Sequence, residues 1–299
     1  MIRVGRLLAS SFTVVALGAA VASAQPGYLL PLLTQIEGEQ GAKLTQTLDR
    51  VQERALAGVY SQDDLAHIVR ALTRRAEGSP ETRAKIITVL GQIGRPESVP
   101  AIMQYAREPD QMVRLSAHQA LGWIGDERAL PLLESIASER SAVDPDSYEN
   151  FMLRYAIGAI RIKKALREGP EGDRFPLVRT TLLTEPNWLV RADIARSLER
   201  WPGAEVWDVV FDSYERWPEP EQYAGRLGTI LGLRYQYDPA GFIAALRQRS
   251  VPVRVFGLGA TLDVADASDL TALMEMSEAD PDAQVRELAA SAVSRLMAR

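Results

Sequence analysis

Leu90-Gly91-Gln92-Ile93-Gly94 followed by Val99-Pro100 returns 31 positions later as Leu121-Gly122-Trp123-Ile124-Gly125 followed by Leu130-Pro131. Upstream, Thr82-Arg83 and Val113-Arg114 keep the same spacing. A fixed period of this length marks a stacked-repeat architecture, in which one supersecondary unit is written again and again. Each copy reads as a helix, a glycine reversal and a second helix. Gly94 and Gly125 stand where a helix ends in the left-handed conformation that glycine adopts without steric cost. Pro100 and Pro131 fall in the first turn of the second helix, where a missing N–H is harmless.

Working outward, three copies open on one phrase. Glu108-Pro109-Asp110 precedes Val113-Arg114, Glu185-Pro186-Asn187 precedes Val190-Arg191, and Asp280-Pro281-Asp282 precedes Val285-Arg286. The proline stops the preceding helix, and Asp110, Asn187 or Asp282 is expected to cap the next one. Val253-Arg254 opens a further copy without the acidic phrase. Weaker helices carry Arg154 and Arg226 near the same place, so arginine landmarks suggest about seven helix pairs. Three and six positions after the arginine, Ala117 and Ala120, Gly257 and Ala260, and Ala289 and Ala292 share one face. Small side chains there let a neighbouring helix approach closely. The arginines form a ladder with two readings, a structural one with carboxylates such as Glu81, Asp110 and Asp282, and one as donors for an acidic ligand.

Before the repeats, residues 43–57 and 61–75 have apolar residues at helical spacing, and Ser61 with Asp64 resembles a capping box. Residues 26–33 are apolar and read as an extended segment or short helix over the end of the fold. At the start of the chain, Arg3 and Arg6 precede an apolar run over 7–21 and the triplet Ala22-Ser23-Ala24. This reads as a secretory signal peptide over 1–24, cleaved before Gln25, because a membrane span takes about 20 apolar residues. The expected organisation is therefore a signal peptide (1–24), an N-terminal helical cap (25–78), and a repeat array (79–299) with loop insertions at 138–150 and 167–176.

The whole chain carries 34 basic and 39 acidic residues, a net charge of −5, and the leader holds two of the cations and no acid. A mature protein this acidic, without a basic stripe interleaved with aromatics, is not expected to bind nucleic acid. No integral span is expected after cleavage. With no cysteine in the sequence, disulfides and a lipid-modified N-terminal cysteine are excluded, and stability must come from a buried core.

The phrase from Val113-Arg114 through Gly122, Gly125-Asp126 and Leu130-Pro131-Leu132-Leu133 resembles a HEAT repeat of the short subclass also found in phycobilisome lyases. The resemblance implies an all-α fold, a right-handed α-solenoid of stacked antiparallel helix pairs. The tetratricopeptide alternative has a period of 34 and a Trp/Gly/Tyr pattern that is absent here. Deoxyhypusine hydroxylases and bilin lyases also use HEAT-like scaffolds. The hydroxylase activity implies His-Glu pairs holding iron, whereas His67 and His118 are the only histidines and neither precedes glutamate. A chromophore lyase is expected in the cytoplasm, at odds with a signal peptide.

No other chemistry is legible. Two distant histidines without cysteine give no transition-metal set, and His118, flanked by the small positions, reads as helix packing or surface. Glu275, Glu278, Asp280 and Asp282 lack the glycine turn and final glutamate of a calcium loop. Gly257-Leu258-Gly259 lies inside a predicted helix without a following Gly-Lys, and no Gly-x-Ser-x-Gly occurs. No catalytic, cofactor or metal residue is expected. Aromatics concentrate over 201–237, where Trp207, Phe211 and Tyr214 share a helix face; this stripe reads either as core or as a binding patch. Trp207, Tyr214, Trp217 and Tyr235 are the candidate partner-binding residues. The expected function is a non-enzymatic scaffold, periplasmic or secreted, that binds a protein or peptide in the cell envelope. The alternative is a carbohydrate- or envelope-component-binding module using 201–237.

Overall fold

The computed structural model describes residues 27–75, 78–201, 203–217, 220–235, 238–262, 264–265 and 269–298, with the side chain of Arg200 left aside. The signal peptide expected at 1–24 lies outside the described residues. Among these residues all regular structure is helical. In the first half α1 (Leu29–Gly38) packs on α2 (Gly41–Leu56), α3 (Gln62–Arg74) on α4 (Pro80–Ile93), α5 (Val99–Met103) on α6 (Gln111–Ile124), and α7 (Leu130–Ser141) on α8 (Tyr148–Glu168). The second half pairs α9 (Glu171–Thr184) with α10 (Trp188–Ala195), α11 (Glu205–Arg216) with α12 (Glu221–Tyr235), α13 (Pro239–Arg247) with α14 (Val251–Thr261), and α15 (Leu270–Ala279) with α16 (Ala283–Met297).

Each even-numbered helix also packs on the next even-numbered one, from α2 through to α16. Odd-numbered helices line up behind them, α1 on α3 and α9 on α11 on α13. The result is an α-solenoid of antiparallel helix pairs in two layers, with the core between them. The described residues hold eight such pairs rather than the seven read from arginines, because α2 carries no landmark arginine.

Helix starts follow the sequence closely. Asp110 accepts the Val113 amide at 3.0 Å, Asn187 the Leu189 amide at 3.0 Å, and Asp282 the Gln284 amide at 2.9 Å. Ser61 and Asp64 form a reciprocal capping box. Gly94 and Gly125 end α4 and α6 with φ of 74° and 70°.

The arginine four residues after the cap turns these starts into a stack. Its Nη1 donates back to the linker carbonyls, from Arg114 to Glu108 O (2.7 Å) and Pro109 O (2.6 Å), from Arg191 to Glu185 O (2.6 Å) and Pro186 O (3.1 Å), and from Arg286 to Asp280 O (2.7 Å) and Pro281 O (3.0 Å). Arg254 does the same to Arg249 O at 2.6 Å. The other side of the guanidinium reaches the following repeat. Arg83 meets Glu108 at 2.7 Å, Arg114 meets Glu149 at 3.0 and 3.1 Å, and Arg254 meets Asp280 at 2.9 Å. Arg191 instead lies over the rings of Trp217 (4.1 Å) and Tyr223 (4.7 Å). Between its linker and its neighbour, each ladder arginine from 83 to 254 is occupied structurally. Arg154 departs from the register, standing seven residues after its cap Ser147, yet it too donates to a linker carbonyl, Pro145 O at 3.0 Å.

The two expected loop insertions are largely helical. Only 142–147 is irregular in the first, since Ser147 caps α8 by accepting the Asn150 amide at 3.3 Å. In the second, 169–170 alone interrupts the helices, and the charged run resembling a loop is the first turn of α9, where Glu171 and Asp173 oppose the positive end of the helix dipole.

His118 is fully buried, and its Nε2 lies 3.1 Å from Ala106 O. A carbonyl only accepts, so Nε2 carries the proton and Nδ1 is a buried acceptor without a partner. Burial pushes its pKa down to about 4, against the pull of the Ala106 hydrogen bond. Unfolding restores an ordinary value near 6.5, so the unfolded chain takes up the proton first on acidification. Stability from this group is complete above about pH 6.5 and is lost as pH falls toward 4, a loss of about 3 kcal/mol. Urea unfolding at pH 7 and pH 4 should show that extra loss in the wild type and its near absence in His118→Gln; equal losses would refute it.

Spacing between even helices is set by glycine. A Cβ on Gly91 would lie 2.5 Å from the Ala120 Cβ and 2.6 Å from its Cα, whereas a Cβ on Gly225 meets nothing within 4 Å. Gly91→Ala is therefore expected to destabilise the chain by about 1–3 kcal/mol. Gly225→Ala should stabilise it by about 0.5–1 kcal/mol through helix propensity. Denaturation midpoints that move in the same direction for both would contradict this close approach.

Candidate functional site

The even-numbered layer presents one side to the odd helices and leaves the other to solvent. On that outer side α6 carries Met112, Leu115, Gln119 and Trp123 at helical spacing, and α8 answers with the exposed Tyr148, beneath which Met152 and Tyr155 are buried. A depression of about 310 Å³ lies between them, with Met112 (45% exposed) and Tyr148 (61% exposed) on its walls. Tyr148 stacks on Phe151 at 6.0 Å between ring centroids, and Phe151 meets Trp188 of α10 at 6.5 Å. This aromatic file leads into a second depression of about 250 Å³, which shares Gln119 with the first. Trp123 and Trp188 are half-buried at its walls, together with Leu189, Ala192, Asp193 and Arg196, and with Gln222 and Arg226 of α12.

The floor of the second depression is a saturated polar network. Lys163 Nζ donates to Asp193 Oδ2 at 2.6 Å and to the last free carbonyls of α6, Gly122 O (3.0 Å) and Trp123 O (2.9 Å). The Tyr155 hydroxyl donates to the same Asp193 oxygen at 3.2 Å. Burial and the Asp193 charge push the Tyr155 pKa well up, so the phenol remains a donor. Burial lowers that of Lys163, opposed by Asp193. Arg226 lies 3.5 Å from Glu199, and burial followed by repulsion from Arg196 holds its pKa below the ordinary arginine value. Arg196 is exposed and makes no ion pair among the described residues.

Of the candidate partner-binding residues, Trp207 and Tyr235 are 1% exposed and contribute no surface. Both pack edge-on against Phe242, at 5.3 and 5.1 Å, which corrects their reading as a binding patch. The helical spacing of Trp207 and Phe211 on α11 is the ordinary signature of burial. Tyr214 is half-buried and stacks on Phe256 at 3.8 Å, and Trp217 is half-buried against Arg191. The four do not form one surface. Asp280 and Asp282 serve Arg254 and the start of α16 respectively.

Trp123, Tyr148 and Trp188 had a usable signal in the repeat itself. Trp123 stands where the preceding copy has Gln92, and Tyr148 and Trp188 follow their caps directly, where other copies have Gln111 and Ala283. An aromatic at a position that is polar or small in sister copies points outward. Trp188→Ala should accordingly cost no more than about 1 kcal/mol, and Trp207→Ala about 3–5 kcal/mol. Thermal melts of the two variants check the contrast, and comparable losses would place Trp188 in the core.

A sequence model of the family "HEAT repeats" matches residues 55–144. That match begins inside the segment read from sequence as a separate N-terminal cap. No curated protein matches the chain significantly. Among solved structures, human deoxyhypusine hydroxylase in complex with glycerol is similar at 18% identity, covering 91% of this chain and 96% of that one with a TM-score of 0.38. The complex of CpcE and CpcF of phycocyanin lyase from Nostoc sp. aligns at 18% identity over 92% of this chain and 97% of that one, TM-score 0.42. An engineered protein aligns at 15% identity over 90% and 78%, TM-score 0.36. At these identities the likeness is one of fold. The expectation of a non-enzymatic chain does not stand, because a hydroxylase and a lyase are among the solved structures that align with it. HEAT repeats build a helical scaffold for protein interaction, and residues 55–144 of this chain match that family.

Proposed function

We propose that this chain is an exported interaction scaffold of the cell envelope, periplasmic or secreted, whose even-helix face holds a protein or peptide partner. The observation that carries the reading is the exposure of Met112 and Tyr148 on one depression, continued through Phe151 to Trp188 and the next. Contiguous apolar surface of this kind, rimmed by polar groups, marks an interaction site. Helical stacking supports it, because each pair uses its sides for its neighbours and leaves a long outer surface free. Export is supported by Arg3 and Arg6 before the apolar run and the small triplet at 22–24. Among the described residues no helix is long and apolar enough to cross a membrane.

Two measurements test the reading together. The chain expressed with its leader should be recovered from the envelope fraction beginning at Gln25; material retained in the cytoplasm with Met1 intact would refute export. Affinity purification from that fraction should yield a partner with the wild type and lose it with Tyr148→Ala/Trp188→Ala at unchanged helicity. Retention by the double variant would remove the even-helix face from the proposal.

A further inference from the structure

The depression between α8, α10 and α12 has a charge imbalance that its neighbours lack. Asp193 is matched by Lys163 at 2.6 Å and by the Tyr155 hydroxyl, and Glu199 sits with Arg226 at 3.5 Å. Arg196 remains exposed without an ion pair among the described residues, and its charge repels Arg226. The chain as a whole is acidic, so this local cationic excess runs against its net charge. Beside the two guanidinia stand the half-buried rings of Trp123 and Trp188. A volume of about 250 Å³ falls below the ~300–1,000 Å³ of small-molecule pockets; it suits a side chain or two projecting from an extended backbone. Gln119 and Gln222 flank it, each offering an amide that both donates and accepts, as a peptide group requires.

Resting on the reading of the even-helix face as a protein-binding surface, we propose that this depression receives an extended peptide segment of a partner protein bearing an acidic residue beside an apolar one. Arg196 and Arg226 take the carboxylate, and Trp123 and Trp188 take the apolar side chain. Guanidinium pairs suit a carboxylate because they present parallel N–H donors to its two oxygens. Its negative charge also relieves the repulsion between the two arginines, which a neutral ligand leaves in place.

The test is selection of a displayed random dodecapeptide library on the full 299-residue chain, on Arg196→Gln/Arg226→Gln and on Trp188→Ala, each variant first shown to match the wild-type melt. Wild-type selections should converge on Asp or Glu next to Leu, Phe or Trp. In a synthetic peptide from that set, changing the acid to its amide should weaken binding about tenfold or more, and Arg196→Gln alone should weaken the acidic peptide similarly. Added salt should weaken it further. Peptides selected without acidic bias, or bound equally by the arginine variant, overturn the acidic assignment alone, provided Trp188→Ala still abolishes binding. If no peptide is enriched, or if glycans rather than peptides bind in a manner sensitive to Trp188→Ala, both this assignment and the protein-binding reading fall.

Discussion

The stack depends most on the ladder guanidinia that join one inter-helix loop to the next. A helix that starts after a proline-containing linker leaves linker carbonyls without intrahelical partners. In α6, α10 and α16 the arginine four residues past the cap bends back and donates to two of them. The same side chain in α4, α6 and α14 then holds a carboxylate of the next repeat. Local and inter-repeat structure are thereby satisfied by one residue. Loss of Arg114 would leave both an open linker and the buried Glu149 with only the longer 3.5 Å contact to Arg140, a costlier defect than the loss of a surface ion pair.

This device changes its form between α8 and α12, where the exposed aromatics and the second depression lie. Arg154 is displaced to seven residues past its cap, and Arg191 couples forward to the rings of Trp217 and Tyr223 instead of a carboxylate. A buried cation held by aromatic faces retains attraction without adding another acid to the region. At the second depression Asp193 is answered by Lys163 and Glu199 by Arg226.

The scaffold was legible in the sequence because its signals are local. Asp110, Asn187 and Asp282 cap the helices they precede, Gly94 and Gly125 take left-handed turns, and Ala117 and Ala120 are buried at the helix contact. Each is decided within one or two turns of chain. Two readings failed, one through a nonlocal partner and one through a helix start that the local glycines and prolines disguise. Trp207 and Tyr235 stand as partner-binding candidates until Phe242 of α13 is placed against both. The charged segment over 167–176 looks like a loop until its acids are seen in the first turn of α9. The depression itself joins α6, α8, α10 and α12, and no single-helix periodicity reveals which side of four helices stays uncovered.

The glycine that first exposes the repeat also shapes the site. A side chain at Gly122 would meet the Tyr155 ring at 2.7 Å and the Ala156 Cα at 3.1 Å, so its absence lets Tyr155 sit at the floor of the second depression. The carbonyl of the same residue accepts from Lys163, whose ammonium fixes Asp193. Helix spacing, floor and charge pairing are consequently set by contacts that exist before any partner arrives. A surface held this way by packed helices needs little ordering on association, which removes one of the main opposing terms in binding. The aromatic walls retain more of their burial energy as affinity than the same residues would on a loop. In this chain the regularity of the repeat supplies the rigidity, and the departures from it supply the exposed aromatic surface on which the proposed partner site rests.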